Sequence, residues 1–83
     1  MKAKHAKNLG VRCAGVLKHT VGNDGTREPG YRNCFCAGIN GPDWEACQIL
    51  VGFGLMREGV LINADSAQYF YATLIGAEIG CKI

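Results

Sequence analysis

"YRNCFCAGINGPDW", residues 31–44, decides how the chain is read. Its first half alternates: Tyr31, Asn33, Phe35 and Ala37 interleave with Arg32, Cys34, Cys36 and Gly38. A short, β-favouring run bounded by turn residues predicts a strand over 31–38, with Cys34 and Cys36 on one face and Tyr31 and Phe35 on the other. Its second half starts a helix. Pro42 suits the first helical position, Asn40 or Gly41 can cap, and Asp43 and Glu45 fall at the positive end of the helix dipole. The helix is expected over 42–53, burying Trp44, Cys47, Leu50, Val51 and, just beyond it, Leu55.

Upstream, apolar residues recur at helical spacing (Ala6, Leu9, Cys13, Val16, Leu17, Val21), with Lys4, Lys7, Arg12 and Lys18 largely off the stripe. A basic helix over 3–21 follows, ended by Gly22 and a loop dense in turn residues, "GNDGTREPG". Downstream, "VLIN" and "QYFYAT" around the polar turn "ADSA" predict a hairpin over 60–72. Thr73 can then cap a short last helix over 74–80. The expected class is α+β in the order helix-strand-helix-strand-strand-helix. At 83 residues, 48% of them apolar and 19% charged, the chain is one small globular domain. A core of this size is marginal, so a partner or self-association as a homodimer would add stability.

The cysteines pose a chemical question. Structural zinc takes four thiolate or imidazole ligands, usually as two close pairs. Cys34-x-Cys36 is one pair; Cys13, Cys47, Cys81, His5 and His19 are scattered singles. The redox spacing is Cys-x-x-Cys, which is absent. The five cysteines are therefore read as thiols, with Cys34, Cys36, Cys13 and Cys47 as packing residues. No Ser–His or Cys–His pattern, carboxylate pair or phosphate loop is found. The expectation is a chain that is not an enzyme and needs no cofactor or metal.

Charge is uneven. Residues 1–32 hold seven Lys and Arg against two Asp and Glu, net +5; residues 33–83 hold two against five, net −3. Such a dipolar chain suits a partner of opposite charge at either end. The start is positive but precedes no apolar run of signal-peptide length, and no stretch approaches a membrane span, so a soluble, cytoplasmic protein is expected.

Two resemblances follow from these motifs. The helix closing in "LVGFGLMREG", the hairpin, and Thr73-x-x-Gly76 opening the next helix resemble the end of a winged-helix domain. The match rests on Leu50, Gly54, Leu55, Tyr71, Thr73 and Gly76. Two departures disfavour DNA. One helix stands where a helix-turn-helix needs two, and the helix that would enter the groove has no Lys or Arg and carries Asp43 and Glu45. A winged-helix-like DNA-binding regulator would have to use Lys2, Lys4, Lys7, Arg12 and Lys18 on phosphates.

Over residues 31–76 the chain also resembles a group of small bacteriophage proteins. The shared pattern falls at Tyr31, Arg32, Asn33, Phe35, Gly41, Asp43, Trp44, Cys47, Leu50, Val51, Gly54, Leu55, Met56, Phe70, Thr73 and Gly76. The resemblance implies a phage or prophage origin and brings no activity with it. Small phage proteins without catalytic residues commonly bind and block a host component; anti-CRISPR proteins are one such class, and some reuse degenerate winged-helix scaffolds. The expected function is thus a non-enzymatic inhibitor of a host protein complex, such as a CRISPR effector. Candidate contact residues are Lys4, Lys7, Arg12, Lys18, Arg32, Asp43, Trp44 and Glu45, with Tyr31, Tyr69 and Tyr71 as further aromatic anchors.

Overall fold

The computed structural model describes residues 2–23, 25 and 28–83, with side chains from residue 10 onward within that set. The chain runs α1 (Lys2–Val21), β1 (Phe35–Gly38), α2 (Pro42–Gly52), β2 (Met56–Ile62), β3 (Ala67–Ala72) and α3 (Leu74–Lys82). The fold is α+β in the expected order. The strands form one antiparallel sheet ordered β1-β3-β2, and α2 is the single helix between β1 and β2. The winged-helix-like outline therefore lacks a helix-turn-helix.

Three boundaries differ from expectation, each for a local reason. The strand expected from Tyr31 begins at Phe35. Ahead of it, the Asn33 side chain takes over the pairing: its amide donates to Ala72 O at 3.2 Å and its carbonyl accepts from Ala72 N at 2.7 Å. The backbone of the same segment turns to α1 instead. Cys34 N donates to Thr20 O and Gly30 N to Val21 O, satisfying carbonyls that a helix end leaves open.

The hairpin expected from Val60 begins earlier, at Met56. The lead-out "GLMREG" is largely strand because α2 stops abruptly. Gly54 adopts φ +76°, Gly54 N bonds Val51 O, and Leu55 N reaches back to Leu50 O. That is a Schellman closure, in which glycine alone takes the left-handed position without strain. Gly22 (φ +76°) ends α1 the same way, with Asn23 N bonded to Lys18 O. The last helix also runs to Lys82, beyond residue 80, because the Asn23 side-chain amide donates to the carbonyls of Gly80 and Ile83 and closes its C-terminus.

The core lies between the helices and one face of the sheet. Val16, Leu17 and Val21 of α1 meet Ala46, Cys47 and Leu50 of α2, over Ala37, Met56, Phe70 and Ala72 from the three strands. Two polar residues are buried with them. Thr20 Oγ1 donates to Val16 O, and Gln68 accepts from Trp44 Nε1 at 3.0 Å while donating to Gly59 O at 3.2 Å. Among the described residues no buried side-chain nitrogen or oxygen lacks a partner, as a stable small core requires.

The β2–β3 turn carries strain. Asn63, Ala64 and Asp65 have φ of 53°, 55° and 66°. Asn and Asp tolerate this region; alanine does so at a cost of about 1 kcal/mol or more. Ala64→Gly is therefore expected to stabilise the protein by about 0.5–1 kcal/mol after glycine's larger unfolded-state entropy is subtracted. Thermal melting reads this as a rise of a few degrees; a fall would contradict the turn geometry.

Candidate partner-binding surface

The structure distributes the expected contact residues unequally. Arg12 Nη1 lies 2.9 Å from Asp43 Oδ1, with both side chains about half exposed. The basic helix and the acidic helix start, read from sequence as separate faces, thus meet and neutralise each other at this point. Trp44 is half-buried and packs against the core, its indole nitrogen committed to Gln68. Arg32 is half-buried, with Nη2 on Cys34 O at 3.0 Å. Lys18 is half-buried and Glu45 exposed. The side chains of Lys4 and Lys7, with those of Lys2 and His5, fall outside the described residues. Val11, Arg12, Gly15, Val16, Phe35 and Asp43 line a shallow cleft of about 530 Å³, which keeps the ion pair solvated and its net contribution small.

The cysteines divide by environment. Cys47 is fully buried, and its thiol is pushed up to about 12 by burial, with the charge of Asp43 and neighbouring Cys13 adding to it. Cys13 is also raised by burial, and its sulfur lies 3.7 Å from Ala46 O. Cys34 is half-buried. Cys36 is exposed, and here the packing expectation is corrected: the alternation holds, but Phe35 and Ala37 take the core side of β1, leaving Cys36 outside. Among the described residues no three His, Cys, Asp or Glu side chains gather in a group that could hold a metal ion.

A pH prediction follows from Cys47. Its value in the folded protein lies above the ordinary 9.0, so the native state keeps a proton that the unfolded chain releases. The stability this group contributes is complete below pH 9.0 and is lost as pH rises from there toward about 12. The melting temperature is expected to fall above pH 9.0 more steeply in wild type than in Cys47→Ala. Equal slopes would contradict the assignment.

The most distinctive surface is the face of the sheet turned away from the core cluster. Tyr69 and Tyr71 of β3 point there, alternating with core-facing Gln68, Phe70 and Ala72. Cys36 stands opposite Tyr69, and Arg57 opposite Tyr71, its guanidinium 4.9 Å from the ring centroid. Between them β2 bulges after Glu58, so that the register shifts by one residue. Gly59 in this bulge makes room for the ring: a Cβ there would stand 2.5 Å from Tyr71 Cε2 and 3.0 Å from Tyr69 O. The glycine, the bulge and the cation–π contact hold the Tyr71 ring against β2. Among the described residues, the apolar residues packed on the core come from the helices, the opposite sheet face and Leu55 in the turn after α2.

The tyrosines were legible as candidate anchors from sequence; Arg57 was not. Its only sequence signal is cross-strand register with Tyr71, which depends on β2 starting at Met56. Compared with known proteins, the chain matches no family model, no curated protein and no solved structure. No helix among the described residues is long and apolar enough to cross a membrane.

Proposed function

We propose that the protein is a non-enzymatic binding protein that docks the outer face of its sheet on a host protein complex and blocks it, in the manner of an anti-CRISPR protein. The observation that carries this reading is the row of Tyr69, Tyr71 and Arg57 on one sheet face, with Tyr71 held by Arg57 and Gly59 and with Cys36 exposed beside it. Tyrosine and arginine dominate the energetics of protein interfaces, and pre-positioned rings lose little entropy on binding. The phage-like sequence pattern supports a host target and motivates the CRISPR effector as the first one tried. The competing reading, phosphate contact by the N-terminal helix, loses Arg12 to Asp43.

An affinity pull-down of the tagged protein from a CRISPR-bearing host lysate, with and without nuclease, tests the proposal by mass spectrometry. A defined complex that survives nuclease, and whose capture falls at least about tenfold in Arg57→Ala and Tyr71→Ala, is expected. Recovery of only nuclease-sensitive, salt-labile material would overturn it in favour of DNA binding.

A further inference from the structure

The helix α3 lies at the surface yet is apolar around most of its girth. Gly76 and Gly80 are buried on its inner side, with Ala77 and Cys81 packed against the core cluster. Its outer side is also apolar: Leu74 is 92% exposed, Ile75 64%, Ile83 47% and Ile79 38%. The charges there are Glu78 and Lys82, which bond each other at 3.1 Å. A surface helix of a monomer normally turns a polar face outward, and an apolar patch of several hundred Å² marks a contact. Ile79 and Ile83 continue into an open groove of about 570 Å³, to which α1 contributes Gly10 and Ala14 and the end of α2 contributes Phe53. Phe53 is 76% exposed at this groove.

We propose that α3 and this groove are the interface of a two-fold homodimer. Three features select a second copy of the chain as the occupant. The patch is self-complementary, since it carries both a projecting ring, Phe53, and an apolar recess between α1, α2 and α3, which is what an isologous contact uses. Its charges are also self-complementary. An antiparallel α3 pair centred on Ile79 sets Ile75 against Ile83 of the second copy and brings each Glu78 within a turn of the other copy's Lys82. A parallel pair would set like charges together. The area suits a weak, reversible pair: Ile75, Ile79, Ile83 and Phe53 expose on the order of 450 Å² per copy, so pairing removes about 900 Å², within the size range of transient interfaces. The helical side of the fold is used, so the outer sheet face stays open in the dimer.

Sedimentation of the full chain between about 1 and 100 µM tests this directly. Wild type is expected to dimerise, and Phe53→Glu and Ile79→Glu to be folded monomers by circular dichroism. Phe53 is exposed and outside the core cluster, so its variant remains informative where Ile79→Glu fails to fold. Glu78→Lys is expected to weaken the dimer at least about tenfold, and adding Lys82→Glu to restore it. A monomer throughout the range, or a dimer indifferent to Phe53→Glu and Ile79→Glu, would overturn the proposal. Failure of the charge swap to restore pairing would overturn the antiparallel arrangement.

Discussion

Gly76→Ala is expected to remove about 2–4 kcal/mol, a large share of the stability of a domain of 83 residues. A Cβ at Gly76 would overlap the carbonyl oxygen of Leu55 and stand 2.7 Å from its carbonyl carbon. The obstacle is backbone, and it is pinned. Leu55 O accepts from Thr73 N at 3.0 Å, and Thr73 Oγ1 donates to the adjacent Gly54 O at 2.7 Å. The same Thr73 oxygen accepts from Gly76 N as the N-cap of α3. Relief therefore requires lifting the start of α3 off the Gly54–Leu55 turn, which breaks the two Thr73 bonds to that turn at about 1 kcal/mol each on top of an overpacking cost of about 1–3 kcal/mol. The helix-propensity gain of about 1 kcal/mol does not offset this. Gly15→Ala is the control. Gly15 lies in α1 with nothing within 4 Å of the Cβ it would gain, so there the propensity gain should stand alone. Urea unfolding followed by the fluorescence of Trp44 measures both; a Gly76→Ala variant as stable as wild type would refute the docking of α3.

Phe70→Ala is expected to cost about 3–5 kcal/mol. Phe70 is fully buried in the central strand, opposite Phe35 of β1 and Glu58 of β2, and it is the largest side chain of the core. Truncation leaves a cavity that three elements border, and neither flanking strand can close it without losing its register. A domain of 83 residues has only about 4–12 kcal/mol in total, so the variant should be largely unfolded or close to it. A loss below about 1 kcal/mol in the same titration would mean that the sheet does not pack on the helices through this residue.

Local chemistry explains what was legible in the sequence. Pro42 and Asp43 mark the start of α2, and Thr73 marks that of α3, because capping is settled within a few residues. The alternation through Phe35 and Ala37 identified a strand but not its inner face, since period-two patterning fixes which residues share a side and tertiary burial decides which side is covered. Tertiary contacts account for the misplaced boundaries. Asn33 replaces strand pairing with its own side chain, across 39 residues to Ala72. Asn23 closes α3 from 57 residues away. The candidate surface divides in the same way. Tyr69 and Tyr71 could be named from residue type, whereas Arg57 required the early start of β2, and the neutralising pair Arg12–Asp43 joins residues 31 apart. Trp44, an attractive anchor by residue type, is instead drawn inward by Gln68.

Under the proposed function the outer sheet face meets the partner, and Cys36 reports on that contact. Cys36 is exposed and stands opposite Tyr69. Alkylation of the protein alone and of the captured complex, read for each cysteine by mass spectrometry, measures whether that face is covered. Strong protection of Cys36 in the complex is the result expected. A Cys36 that reacts as fast in the complex as in the free protein would contradict it.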